Sequence, residues 1–271
     1  MDRNEAVLRE LKLYPLWQRR GEPAPVAAAQ TVQAPGYAAL TRPAQLPAQP
    51  VSGITVDGPV ALPAAPATAD DKSREQRIGE LGWPQLKAMV RDCAACKLRA
   101  GCAQTVFGVG DEQAEWLFVG EGPGADEDAQ GEPFVGQAGK LLDNMLLAIK
   151  LRRGQNVYIA NIVKCRPPVD VSDKQLPPKP DEIATCLPYL QRQIGLIKPK
   201  IIVALGKTAA TALLGKDAAL GSLRGTVHDY CGIPLIVTYH PAYLLRSPPE
   251  KAKAWQDLCF AVQAHQPQGR A

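Results

Sequence analysis

The chain lacks any apolar run near the ~18 residues that a membrane-crossing helix requires. Its first twenty residues are dense in charge and have no apolar secretory centre. The expected setting is therefore cytoplasmic, where cysteines stay reduced. Histidine is scarce, with three in 271 residues, so each can be weighed singly. Neither charge sign dominates: 31 Lys and Arg against 27 Asp and Glu leave +4, which permits nucleic acid without demanding it. No internal repeat is visible. A dinucleotide fingerprint is also missing. Gly120-Glu-Gly-Pro-Gly brings its third glycine one residue early, and Pro123 deletes a backbone donor. Glu121, Asp126, Glu127 and Asp128 would repel a pyrophosphate.

What is there begins with 46% hydrophobic residues, enough for a core in one or two domains. Residues 1–20 carry the stripe Val7, Leu8, Leu11 and Tyr14 on a short helix that Pro15 ends. Two readings stay open for it: a docking element for a partner protein, or a helix that packs weakly. Residues 21–73 are expected to be a disordered, semi-extended linker. Nine prolines and fourteen alanines stand among positions 21–70, with only four charges, too little apolar surface to offset ordering entropy. Residues 74–265 form the folded domain, and 266–271 a tail.

Within that domain one helix is expected to run through Ile78, Leu86 and Val90, delivering Cys93. Apolar runs at 116–119, 157–163, 201–205 and 234–239 read as strands, and 138–149, 181–197 and 249–264 as helices. Strands alternating with helices imply an α/β fold whose four-stranded parallel sheet is covered on both faces.

The glycine- and acid-rich segment after the first strand lies where open α/β sheets bind ligands. Its glycines let a ligand approach the backbone closely. Phe134, read as exposed, waits between Pro133 and Val135-Gly136. Backbone donors, carboxylates and a flat ring suit a planar, polar guest. His240 ends the fourth strand, beside this loop. His228 reads as a surface residue and His265 as inert. The segment Tyr243-Leu244-Leu245-Arg246 reads as a loop with an apolar tip, suited to wedging into stacked bases. Lys164, Arg166, Lys174 and Lys179 flank the same face and suit a phosphate backbone.

Seven cysteines in a reducing setting point to metal or catalysis. Cys93-x-x-Cys96, Cys165 and Cys186 supply four thiolates, suited to zinc or an iron–sulfur cluster, and spacing leaves both open. A redox pair is disfavoured, because no base flanks Cys93 and Cys96. Cys102 is near enough to compete as a ligand, while Cys231 and Cys259 read as ordinary buried cysteines.

With these motifs assembled, residues 85–262 resemble the family 4, iron–sulfur uracil-DNA glycosylases. The motifs carrying this are Gly-Glu-Gly-Pro-Gly at 120–124, Pro-Phe-Val-Gly at 133–136, Asn-Ile-Val-Lys-Cys-Arg-Pro-Pro at 161–168 and His-Pro-Ala-Tyr-Leu-Leu-Arg at 240–246. The resemblance implies a three-layer αβα sandwich and a [4Fe–4S] cluster on Cys93, Cys96, Cys165 and Cys186. It implies a monomer that acts on uracil in single- or double-stranded DNA and hydrolyses the bond between base and sugar. Uracil would leave the stack for a site formed by Gly120, Glu121, Gly122, Phe134, Asn161 and His240. Phe134 would stack on it, Asn161 would read N3–H and O4, and Glu127 would crowd a 5-methyl group. His240 would donate to O2, while Leu244 or Leu245 fills the gap and Arg246 holds a phosphate. Related families carry an aspartate where Gly122 stands. Glu121 is the nearest replacement as general base and Glu127 the next, unless the sugar cation forms first and needs no strong base. A non-catalytic DNA-binding protein is the competing reading, but pure binding needs no polar pocket. An offshoot that traps the sugar covalently would carry a histidine-containing insertion, which is not seen after Pro168 or before Gly206.

Overall fold

The computed structural model describes residues 73–172 and 174–265. The expected helix at 1–20, almost all of the linker at 21–73 and the tail at 266–271 lie outside these residues. Four apolar runs form the centre of the sheet: β2 (Trp116–Gly120), β3 (Val157–Asn161), β4 (Ile201–Leu205) and β6 (Ile233–Thr238). Every residue of β2, β3 and β4 is buried, which is why they read as unbroken hydrophobic stretches. These four strands pair in parallel, in the order β3-β2-β4-β6. The sheet is nevertheless six-stranded. Short β1 (Val109–Gly110) lies antiparallel outside β3, and β5 (His228–Tyr230) antiparallel outside β6. Neither showed in the sequence, because two or three half-exposed residues carry no periodicity.

Helices cover both faces. Helices α1 (Arg74–Glu80), α2 (Trp83–Arg91), α5 (Pro180–Ile197) and α6 (Lys207–Leu214) lie on one. Helices α4 (Gln137–Ala148), α8 (Pro241–Arg246) and α9 (Lys251–His265) lie on the other. Two short helices, α3 (Ala125–Gln130) and α7 (Leu220–Leu223), sit in connections. Strand alternation feeds the two cores separately. Leu117, Val119, Ala160 and Ile202 join Leu86, Tyr189 and Leu190, whereas Phe118, Ile159 and Val203 join Leu142, Met145 and Leu258. Each fully buried Val, Leu, Ile, Phe or Met side chain among them contributes about 1.5–3 kcal/mol.

The expected helix through Ile78 and Val90 is two. Ser73 starts the first with a capping box, its hydroxyl accepting from Gln76 N and the Gln76 side chain accepting from Ser73 N. Gly82 and Pro84 then start a second helix, since proline fits readily in a first turn, where its missing N–H has no intrahelical partner to lose. No helix among the described residues is long and apolar enough to cross a membrane.

Chain order makes the site. From β2 the chain crosses to β3 on one side, while β4 and β6 extend the sheet on the other. The crevice between such diverging crossovers lies at the carboxyl ends of the strands.

Candidate active site

All four parallel strands end at one cleft of about 340 Å³. Glu121 and Gly122 enter it after β2, Asn161 from the last position of β3, Gly206 and Thr208 after β4, and His240 after β6.

Phe134 forms a wall of this cleft but is only 5% exposed, contrary to the expectation of a free ring. Its φ of 57° places a bulky residue in the left-handed region, a strain of roughly 1–2 kcal/mol. The surroundings hold it there. Arg153 donates to the carbonyls of Pro133 (2.8 Å) and Phe134 (2.7 Å), and is itself paired with Asp143 at 3.0 Å. Gly120 has a matching reason to be glycine: a β-carbon there would lie 2.5 Å from the Phe134 ring and overlap the Asn161 side-chain oxygen.

Asn161 is 2% exposed, and its Oδ1 is buried without a partner. A buried acceptor left open in a polar cleft is an unusual expense, and it suits a ligand donor. His240 caps α8, its Nδ1 accepting from Ala242 N at 3.2 Å. Burial, and secondarily the Arg246 cation, push the His240 pKa down to about 4. At neutral pH the ring is therefore uncharged. With Nδ1 accepting, its proton sits on Nε2, and the partly buried ring lines the cleft. The Phe134 and His240 rings stand 5.5 Å apart at 33°.

The two glutamates divide. Glu121 takes a short hydrogen bond from the Thr208 hydroxyl, and burial raises its carboxyl pKa despite that bond. Glu127 is fully engaged: Oε2 accepts from Gly124 N (3.0 Å), and Oε1 from Val135 N (3.0 Å) and Gly136 N (3.1 Å). It lines the cleft while tying the glycine loop to the Phe134 turn.

The DNA-facing set needs several corrections. Residues 241–246 are helix α8, not a loop, because Pro241 at its first turn and the His240 cap favour helix. That winding separates the two leucines. Leu244 is 1% exposed and belongs to the core, whereas Leu245 is 43% exposed. Tyr243 is exposed and stacks on Tyr239 at 5.2 Å. Arg246 is exposed and lines the cleft, as does Lys174. Lys164 is buried, with Nζ bonded to Asn161 O (3.0 Å) and Gln193 Oε1 (2.7 Å), so it touches no backbone phosphate. Arg166 is partly buried, its Nε without a partner.

Cys93, Cys96, Cys165 and Cys186 line one small pocket on the α5 face of the sheet. Among the described residues no three Cys, His, Asp or Glu side chains meet closely enough to hold one metal ion. Burial pushes the Cys186 thiol up to about 11 and also raises Cys96 and Cys165. Cys102 lies beside Cys165 without lining the pocket. Cys231 is exposed in the β5–β6 turn, not buried as expected. The other histidines are also placed differently. His228 starts β5 and bonds Leu223 O, while His265 bonds Glu115 and packs on Trp116.

Thr208, Gly206 and Arg153 went unnoticed in the sequence. Gly206-Lys-Thr-Ala read only as a helix start. Its position after the third parallel strand was the available signal, since all such ends converge in this architecture. Arg153 had none, because its partners are backbone carbonyls.

Comparison with known proteins agrees with this geometry. The pattern described as "Uracil DNA glycosylase superfamily" matches residues 107–259. The chain is 43% identical over 160 residues to the type-4 uracil-DNA glycosylase of Thermotoga maritima, covering 58% of this chain and 80% of that protein. The type-4 enzyme of Pyrobaculum aerophilum is 40% identical over 184 residues, covering 65% and 91% respectively. That of Archaeoglobus fulgidus is 42% identical over 167 residues, covering 59% and 81%. A parallel sheet whose strand ends gather an aromatic ring, an open amide and a neutral imidazole is thus matched by sequence across the same residues, and the chain belongs to the uracil-DNA glycosylase superfamily, in its type-4 branch.

Proposed function

We propose that the cleft receives a uracil flipped out of DNA and that the protein hydrolyses the bond between uracil N1 and deoxyribose C1′. The observation that carries this is the open, buried Asn161 Oδ1 beside Phe134 and His240 in one cleft. A side-chain amide accepts from uracil N3–H and donates to O4. Cytosine presents an acceptor at N3 and a donor at N4, so both contacts would fail. A site that pairs buried polar groups in this way rejects the wrong partner by ~10⁴-fold or more. Phe134 stacks on the base, and Glu127 stands at the wall where a 5-methyl group would press.

In the reaction the N1–C1′ bond breaks and its electron pair leaves with the base. Negative charge grows on uracil O2, where His240 Nε2–H donates. A preorganised donor of this kind lowers the barrier by ~3–4 kcal/mol. Water adds to C1′, and Glu121, held by Thr208, takes its proton. Leu245 fills the vacated stack, and Arg246 and Lys174 face the phosphates.

The four thiols fit an iron–sulfur cluster. They ring a pocket instead of meeting at a point, which suits a polynuclear centre spacing its thiolates more widely than a single ion does. Burial holds the protons on Cys165 and Cys186, and a strong local cation would displace them. Cys93, Cys96, Cys165 and Cys186 would hold the cluster, which would act as a structural clamp between the segment after α2, the end of β3 and α5.

Incubating the purified protein with a uracil-containing oligonucleotide, followed by alkali, tests the reading. Strand cleavage at uracil and none at cytosine or thymine is expected. Absence of cleavage, with DNA binding retained, would favour the non-catalytic alternative.

A further inference from the structure

Lys164 is buried to 1% exposure three residues after Asn161, yet it serves neither solvent nor the cleft directly. Its backbone is pinned twice: its N–H points to Cys186 Sγ at 3.3 Å, and its carbonyl accepts from Val106 N at 2.7 Å. Its side chain then turns back along the chain. Nζ donates to the Asn161 carbonyl at 3.0 Å and to Gln193 Oε1 at 2.7 Å. Gln193 is fully buried and anchored by donating to Phe107 O at 2.9 Å. Burying an amine is costly unless its hydrogen bonds are remade. An apolar residue of the same length would fill this space without that cost.

The recipient of the bond is informative. Asn161 is the last residue of β3, so its carbonyl stands where the strand ladder stops. Its side-chain oxygen has no protein partner. The aim of the amide therefore follows the backbone, which is held from one side by Ile162 N donating to Gly120 O at 3.0 Å and from the other by Lys164.

Resting on the function proposed above, we infer that Lys164 is a positioning residue, which fixes the peptide of Asn161 so that its amide meets the uracil edge. It touches neither base nor phosphate. Its loss should act on the chemical step and not on DNA affinity, because misplacement by ~1 Å can cost ~100-fold in rate.

The test is Lys164→Met in the full chain with its native cofactor content, read by single-turnover uracil release and by equilibrium binding to the same oligonucleotide. The rate should fall ~10- to 100-fold while affinity and the salt dependence of binding stay as in the parent. A phosphate-contacting lysine would instead weaken binding and lower the salt slope by about 1. In an Asn161→Ala background, Lys164→Met should slow release by less than ~3-fold more, since both changes remove one function. A folded Lys164→Met protein with parental rate, or with effects that multiply in the double variant, overturns the inference. If Lys164→Met does not fold, Gln193→Leu carries the same expectation, and a folded Gln193→Leu protein with parental rate overturns it equally. Failure of the parent itself to release uracil would instead refute the proposed function.

Discussion

His240 performs two tasks that a pair of substitutions separates. Its Nδ1 caps α8 by accepting from Ala242 N at 3.2 Å, which leaves Nε2–H as the donor that this cleft-lining ring can offer. His240→Ala removes both. Loss of the cap costs about 1 kcal/mol of stability, and loss of the donor about 3–4 kcal/mol of barrier, or ~10²–10³ in rate. His240→Asn keeps a good capping oxygen but is too short to reach the guest. It should therefore retain most of the stability and lose nearly as much rate as His240→Ala. Single-turnover release at pH 7 and thermal denaturation of both proteins provide the comparison. His240→Asn working within about threefold of the parent would refute the donor role, as that gap is under 1 kcal/mol. The same residue sets a pH signature. Its folded pKa of about 4 lies below the unfolded value of 6.5, so the folded state binds fewer protons. Stability from this site is fully present above pH 6.5 and is lost as pH falls toward 4, by about 3 kcal/mol in all. His240→Asn should flatten that part of the stability curve.

Other expectations follow from the same geometry. Burial raises the Glu121 carboxyl pKa, so if its ionised form takes the water proton, the rate should fall with acid through a pKa above the ordinary 4.5. Glu121→Gln should abolish that limb in a pH–rate profile. Leu244→Ala should destabilise the fold by ~2–5 kcal/mol as a core truncation, seen in denaturant unfolding, while Leu245→Ala leaves stability within ~0.5 kcal/mol and slows excision from duplex more than from single-stranded DNA. Glu127→Gln should lower stability by ~1–3 kcal/mol through its orphaned backbone donors, and its rate loss should accompany loosening of the Phe134 turn, followed by hydrogen exchange at Val135 and Gly136. If the four thiols hold the proposed iron–sulfur cluster, anaerobically purified protein should be brown, and Cys165→Ser should remove that absorbance; a colourless parent would refute the cluster.

Much of this was legible before any coordinates. Four buried strands announce themselves as apolar runs, and the ends of the first and fourth place Gly120 and His240 on one rim. Asn161 falls inside the expected strand 157–163 and is marked only by the family resemblance, because the strand in fact stops at Asn161. Edge strands β1 and β5 escaped because so few residues carry no pattern. The harder errors concern direction rather than position. Adjacent Leu244 and Leu245 look equivalent in a string of letters, and only the winding of α8 assigns one to the core. Lys164 looks like any basic residue near a nucleic-acid face. Its burial depends on Gln193, which lies 29 residues along the chain. Phe134 lines the cleft, but its ring is buried and not free as its place between Pro133 and Gly136 suggests. The left-handed turn that tucks it against Gly120 rests on Arg153, Glu127 and Gly139, none of them adjacent in sequence.

Helix α8 has a bearing on how this surface can change over time. It is six residues long, and each residue turns the next by about 100°. A single inserted or deleted residue between His240 and Leu244 would rotate the anchor out of the core and swing its neighbour inward. Exchange of one side chain for another at position 245 leaves the anchor seated. The exposed side chain at 245 can therefore be retuned freely by substitution, whereas the length of the segment is locked by the layer beneath it.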